Sequence, residues 1–483
     1  MKKILYTITI ISSLCIYSCS DDYLDEKPTE SISTSDLELL NNDEGAKSFV
    51  TSIYSKFTEW NMSSFSWVGM TSIASDDADK GSSPGDTGTD KDLMDNLTYN
   101  ASSLSVKEVF QGNYQGVSNC NQALFYIPQL TNANSDLKER LMAEAKFLRA
   151  FMYFNLVRLY GGVPIVDHVP NPSSDEDKAM QLTRKSVAEV YDFIKQDLTD
   201  AIDVLPYINQ YGSEDAGRAS KEAAYALMAK VALYEQNWTD VLNYANQITS
   251  RSLTPDYIEI FKVTGENNQE SIFEIQGRGT NPVKGIQGYS ACQGARGAGG
   301  WGWGFNTPSQ SLVNAYETGD VRKDATIIFA GTTLYDGRVV PNTVENPRYN
   351  YKAYSSANSD AWETDTNIRY LRYAEVLLMI AEAKNELGQD PTTELNMVRN
   401  RAGLTNTTAT GQTALRQAIW NERRVELAME HDRWFDLVRT GQAEAAFAAD
   451  GKTFIVGKHE VFPLPQQFIN ESIGYSIQNP MYN

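Results

Sequence analysis

The stretch 141-LMAEAKFLRAFMYFNLVRLYGG-162 decides how the chain is read. Leu141, Ala145, Leu148, Met152, Leu156 and Leu159 recur at spacings of three and four, which predicts one apolar helix face. Phe147, Phe151, Phe154 and Val157 make a second apolar row. A helix greasy on two sides belongs between neighbours rather than on a surface. Gly161 and Gly162 supply a left-handed stop, and Pro164 prevents continuation.

The pattern has echoes in 226-ALMAKVALYEQNW and 377-LLMIAEAKNELGQ. Met152, Met228 and Met379 align, as do Leu156, Ala232 and Ala383, and Gly161 aligns with Asn237 and Gly388 at the stop. The second and third echoes lead into further helical runs, Trp238–Ser250 and Thr392–Ala402. A helical hairpin used several times, with long insertions between copies, is the expected unit. Further helical runs are expected at Glu44–Trp60, Val106–Leu130, Ser186–Leu205, Gln412–Glu430 and Arg433–Arg439. Asp76–Asp95 is rich in Asp, Gly and Ser and reads as loop, and Val461–Asn483 reads as an irregular tail. From Arg251 to Asn367 helical periodicity weakens, and short β-like runs such as Ser271–Ile275 sit among Gly, Asn and Pro. Long insertions of this kind usually carry function.

Acidic residues outnumber basic ones 62 to 42, which argues against nucleic acid or an anionic membrane surface as partner. The N-terminus reads as an export signal: Lys2 and Lys3, then the apolar run Ile4–Tyr17, too short to span a bilayer comfortably. Ile16-Tyr17-Ser18-Cys19 resembles a bacterial lipoprotein cleavage box, although Tyr17 is bulkier than usual there. Acylation of Cys19 by several chains would anchor the protein stably. Ser20-Asp21-Asp22 resembles the surface-export signal of Bacteroidetes lipoproteins. Cys120 and Cys292 then remain, too few for a disulfide framework, though one bridge stays open.

Several motifs together resemble the SusD/RagB family of outer-membrane lipoproteins. They are Asn421-Glu422-Arg423-Arg424-Val425-Glu426-Leu427-Ala428 followed by Arg433-Trp434-Phe435-Asp436-Leu437; Ala143–Ala150 with Tyr160-Gly161-Gly162-Val163-Pro164; and Tyr373–Leu378 with Ala381-Glu382-Ala383. Asn119 and Asn121, Phe462-Pro463-Leu464-Pro465 and Gln478-Asn479-Pro480 complete the set, in the family's order. The resemblance implies a mainly α fold. About eight main helices pair as tetratricopeptide-like hairpins, with a long loop-rich insertion carrying small β elements. It divides the chain into a signal peptide (1–18), a lipidated tether (19–42), an N-terminal SusD-like helical region (43–250), the insertion (251–367) and a C-terminal SusD/RagB region (368–483). It implies a non-catalytic cell-surface protein that captures polysaccharide or oligosaccharide and delivers it to a SusC-like TonB-dependent transporter. RagB-like peptide capture is the runner-up. The charged residues of the C-terminal motif are expected to pair with neighbours and tie hairpins together rather than to mark a catalytic cluster.

A glycan binder needs flat aromatics for the apolar faces of sugars and amide, carboxylate or guanidinium groups for their hydroxyls. Trp238, Trp420 and Trp434 fall in helical runs, where core packing is expected, whereas Trp60, Trp67, Trp301, Trp303 and Trp362 lie in or beside loops. The densest candidate is 299-GGWGWGFN-306, where Trp301 and Trp303 would share a face in β geometry. Family sites draw on the loops after the first helix and on the insertion. The first offers Trp67, Asp77, Asp79 and Tyr99; the second offers Tyr289, Gln293, Arg296, Trp301 and Trp303. The sequence carries no HExxH, GxSxG or Walker loop, and Gly297-x-Gly299-x-x-Gly302 lacks the strand–helix context of a nucleotide fingerprint. His168, His431 and His459 lack metal-ligand spacing. No cofactor is expected; the run 76-DDADKG-81 leaves room for a structural calcium ion without EF-hand spacing.

Overall fold

The computed structural model describes residues 34–83, 85–86, 89–278, 285–356 and 362–482. The signal peptide and Cys19 lie outside these residues. The scaffold helices are α1 (Asp43–Lys56), α2 (Leu104–Tyr126), α3 (Ser135–Tyr160), α4 (Val187–Val204), α5 (Lys221–Tyr234), α6 (Trp238–Ala245), α7 (Tyr373–Glu386), α8 (Thr392–Arg401), α9 (Gln412–Glu426) and α10 (Arg433–Arg439). Within the expected tether Thr34–Leu39 is helical, and the Asn42 side chain caps α1 by accepting from the Gly45 amide.

The quoted stretch forms the C-terminal three-quarters of α3 and its glycine stop. Both apolar rows are buried, packed against α2 on one side and α4 on the other. Gly161 ends the helix at φ 73°, and Gly388 takes φ 72° just beyond α7. The middle echo departs from the alignment. Gln236 takes the left-handed position at φ 55°, while Asn237 stays at negative φ and caps α6. An Asn can serve either role, and here the Asp240 amide in the first turn of α6 claims its side chain. The hairpins α3/α4, α5/α6 and α7/α8 pack in series, with α9 returning against α7.

Polar side chains inside this stack are satisfied by partners on other helices. Arg149 of α3 holds Asp197 of α4 with two 2.8 Å bonds and donates to Asn121 of α2 at 2.7 Å. Glu144, fully buried on α3, receives Arg218 at 3.0 Å and the Tyr54 hydroxyl of α1 at 2.9 Å.

Among the described residues, the insertion contributes strands to four two-stranded antiparallel sheets. They are β1 (Ala78–Gly81) with β4 (Phe305–Pro308), β2 (Ser271–Ile275) with β8 (Ile368–Arg372), β3 (Ile286–Gln287) with β7 (Glu363–Thr364), and β5 (Ile327–Phe329) with β6 (Arg348–Asn350). Asp76–Asp95 is therefore not all loop: it carries β1 and a helix at Thr89–Asp95. The partner strand of β1 comes from more than two hundred residues downstream, beyond any local reading. The tail likewise holds one short helix, Gln466–Glu471. Cys120 and Cys292 are buried free thiols, and burial pushes the Cys292 thiol up to about 12.

The C-terminal charges pair, as expected. Glu426, fully buried at the end of α9, meets Arg401 at 2.5 Å, Arg372 at 2.9 Å and Arg322 at 3.0 Å. Burial alone would raise its pKa, but Arg401, Arg372 and Arg322 overcome that and hold the carboxyl well below the usual range. Glu422 takes Arg322 at 2.6 Å and Arg399 at 3.0 Å, and Arg423 bridges Glu375 at 3.3 Å and Asp436 at 3.2 Å. Arg424 and Arg433 reach the segment before β1: Arg424 lies 2.7 Å from Asp77, and Arg433 2.6 Å from Asp76.

His431 sits at φ 73° in the core between Thr71 and Tyr289. The Thr71 hydroxyl donates to the Trp67 carbonyl, so it accepts from His431 Nδ1, and Nε2 accepts the Tyr289 hydroxyl. Burial lowers the imidazole pKa to about 4.

Two outcomes follow. Glu426→Gln should lower the unfolding free energy by about 3–5 kcal/mol in urea titrations at neutral pH, because it uncovers buried guanidinium charge; a change below about 1 kcal/mol, the size of a surface ion pair, would contradict the account. The folded His431 pKa lies below its unfolded value, so its contribution is complete above 6.5 and is lost as pH falls toward about 4. Stability should therefore decline over that window, and the decline should flatten in His431→Asn, which tolerates the left-handed backbone. Equal slopes in the two proteins would refute this.

Candidate functional site

Three tryptophans from distant parts of the chain meet at the surface. Two short helices after α1, Trp60–Ser63 and Phe65–Val68, present Trp60 and Phe65. Trp303 comes from the Gly-rich loop and Trp362 from the approach to β7. The Trp60 and Trp362 rings stack with centroids 5.5 Å apart at 23°, and Trp303 lies 6.0 Å from Trp60 and 5.8 Å from Trp362. Phe65 supports Trp303 edge-on at 6.0 Å and itself rests on Phe305 of β4 at 4.7 Å. Below it, the buried Lys91 ammonium sits 4.1 Å from the Phe65 ring and is neutralised by Asp90 at 2.7 Å. Trp303 and Trp362 remain 38% and 43% exposed, unusual for rings of this size.

Backbone geometry makes the cluster possible. Gly288 has φ 69°, and a Cβ there would lie 2.5 Å from the Trp60 ring. Its amide donates to the Trp362 carbonyl at 2.7 Å, while Gln287 donates to the Thr58 carbonyl at 3.0 Å. The β3/β7 pair thus clamps the Trp60 and Trp362 segments together.

A polar rim flanks Trp303. Arg296 donates to Ser82 at 2.9 Å and to Asp86 at 2.5 Å, and its Nε lies 3.3 Å from Glu345. The Ser82 hydroxyl and then Arg296 hold the Asp86 carboxyl below its ordinary value. One guanidinium and two carboxylates beside exposed indoles can donate to and accept from hydroxyl groups.

Of the nine residues singled out in the sequence, this surface gathers Trp303 and Arg296. Trp301 does not share the face of Trp303. Its ring packs 5.3 Å from Tyr354, under Arg338 at 4.7 Å, in a small core within the insertion. The loop is coiled rather than extended: Trp301 and Gly302 both donate to the Ala295 carbonyl, and Gly297, Gly299 and Gly304 take positive φ. The period of two on which a shared face depends is lost.

The other six are held within the structure. Trp67, 1% exposed, lies between Tyr370, His431 and Phe435. Tyr289 donates to His431, and Tyr99 packs 4.5 Å from Phe462 of the tail. Gln293 accepts from Asn306 at 2.7 Å and Asn350 at 2.8 Å, joining three segments of the insertion. Asp77 is buried against Arg424, and Asp76 against Arg433, so both serve as guanidinium partners. Asp79 is half-buried beside Asp95 and Lys452; burial first, then Asp95, raises its pKa. Trp60 and Trp362 were visible as loop tryptophans, but nothing local linked them to Trp303.

A family model described as the SusD family matches residues 269–482, and one described as starch-binding associating with outer membrane matches residues 22–233. The chain belongs to the SusD/RagB family. It is 28% identical over 441 residues to SusD-like protein P2 of Formosa agariphila, covering 82% of this chain and 85% of that one. Among solved structures, a laminarin binding SusD-like protein superposes with TM-score 0.77 at 27% identity, covering 91% of this chain and 100% of the other. Surface glycan-binding protein A from Bacteroides thetaiotaomicron, in complex with laminarihexaose, superposes with TM-score 0.76 at 25% identity, covering 91% and 99%. The mainly helical fold with few small strands is that of these SusD-like relatives.

Arg296→Ala removes the links to Ser82, Asp86 and Glu345 from a part-exposed position. Hydrogen exchange at 297–304 should accelerate while global stability changes by less than about 1 kcal/mol. Unchanged exchange there would show that Arg296 does not hold the loop.

Proposed function

We propose that this SusD-family protein binds polysaccharide or oligosaccharide at the outer membrane, through stacking and hydrogen bonds and without covalent chemistry. The observation that carries the reading is the exposed Trp303/Trp362 surface backed by Trp60 and edged by Arg296, Asp86 and Glu345. Indole faces match the C–H faces of sugar rings, and the charged rim matches their hydroxyls. The glycan-binding relatives favour this over capture of peptide. The two rim carboxylates are both held by one guanidinium, an arrangement suited to fixed hydrogen bonding rather than to an acid and a nucleophile working across a cleft.

In this reading Cys19 carries the lipid that anchors the chain at the cell surface, and the bound glycan passes to a SusC-like TonB-dependent transporter. Among the described residues no helix is long and apolar enough to cross a membrane. The calcium ion has no part in the proposal.

Affinity electrophoresis through gels cast with laminarin, starch, xylan or mannan tests the site. Trp303→Ala and Trp362→Ala should each weaken retention by about tenfold, the scale of one lost ring contact, whereas Trp301→Ala and Trp67→Ala should not act through ligand contact. Retention by no polysaccharide, or normal retention of the Trp303→Ala/Trp362→Ala double variant, would reject the reading. Cys19→Ala should move the protein from the membrane fraction to the soluble fraction and abolish palmitate labelling; persistent labelling would reject the anchor.

A further inference from the structure

A recess is lined in part by the end of α1, the segment that leads on to Trp60. It encloses about 420 Å³, within the range of small-molecule sites. Its floor is apolar: Tyr54 of α1 and Phe57 just past its end, with Phe273 and Ile275 of β2. Its edge is hydroxylated, since Thr51, Ser55 and Thr58 fall at i, i+4 and i+7 along one face of α1 and its continuation. The opposite wall is the turn Glu214–Arg218.

The walls are preorganised. The Tyr54 hydroxyl accepts from the Ala219 amide at 2.8 Å and donates to Glu144 at 2.9 Å. Arg218 is fixed by Glu144 at 3.0 Å and Asp215 at 2.9 Å, and donates to Thr51 at 3.2 Å. Gly217 stands at φ 86° against the Gln276 side chain, where a Cβ would approach within 2.4 Å. Because Thr51 accepts from Arg218, its own hydroxyl proton is free to be donated inward. Thr58 donates to the Ser55 carbonyl at 2.9 Å, so its lone pairs can accept. Glu214 adds an exposed carboxylate acceptor.

The geometry points to this recess as a second sugar subsite, taking a pyranose ring of the same glycan that lies on Trp303 and Trp362; the inference rests on the function proposed above. An apolar floor with donors and acceptors at the edge complements a sugar ring, which has C–H faces and a hydroxyl perimeter. Arg218 is already held by two carboxylates, and the charges of Glu214 and Arg278 lie at the edge, where they can hydrogen-bond to ring hydroxyls. Continuity with the platform follows from the chain itself: Thr58 is two residues from Trp60, and its carbonyl receives the amide that precedes Gly288.

The test is calorimetric titration of the purified protein with trisaccharides and hexasaccharides of β-1,3-glucan, β-1,4-xylan, β-1,4-mannan and α-1,4-glucan. With a hexasaccharide that binds, Ser55→Phe, which fills the recess from an exposed position, should lower the hexasaccharide-to-trisaccharide affinity ratio by about tenfold, the scale of losing one ring from a pocket. Glu214→Ala, which deletes an exposed side chain, should lower the same ratio without filling anything. The Trp303→Ala/Trp362→Ala double variant should lose affinity for both lengths. An unchanged ratio in both Ser55→Phe and Glu214→Ala overturns the subsite and leaves the platform reading standing. Absence of binding by the wild-type protein to every sugar overturns the platform reading and the subsite with it.

Discussion

Glu426 sits on the interaction that the rest of the structure depends on. A carboxylate taken fully out of water is stable only with charge brought to it, and here three guanidiniums arrive from different parts of the chain. Arg322 comes from the insertion, Arg372 from the junction of β8 and α7, and Arg401 from the end of α8. Each of those guanidiniums touches a further carboxylate: Asp320 for Arg322, and Glu270 for both Arg372 and Arg401. The cluster is consequently satisfied as a whole or not at all. It joins the insertion to the last hairpin without a disulfide.

The same helix reaches the candidate site by a second route. Arg424, two residues before Glu426, and Arg433 clasp Asp76 and Asp77. The carbonyls of those aspartates accept from Ser309, just past β4. β4 carries Phe305, on which Phe65 and then Trp303 rest. A path of buried ion pairs and packed rings therefore runs from the family motif to the exposed indoles, which separates residues that hold the platform from those that face outward.

That separation explains what could be read in the sequence. Hairpins, the doubly buried α3 and the pairing of the C-terminal charges follow from periodicity and charge content, which are local or compositional. Asp77 and Trp67 lie in the expected region, yet their roles depend on partners roughly three hundred and fifty residues away, Arg424 and His431, that no spacing reveals. Trp301 and Trp303 diverge because left-handed glycines coil a run that alternation would have extended. Trp60 and Trp362 were each recognisable as loop tryptophans, and only the β3/β7 clamp brings their rings into a stack.

The central claim is that a rigid, ion-paired scaffold presents Trp303 and Trp362 to a sugar chain. A crystal structure of the protein soaked with an oligosaccharide from whichever polysaccharide retains it in affinity gels tests this most directly. The account predicts sugar rings lying against the outer faces of Trp303 and Trp362, with hydroxyls within hydrogen-bond distance of Arg296, Asp86 or Glu345. A bound oligosaccharide that leaves both indoles uncovered and occupies another surface would contradict it.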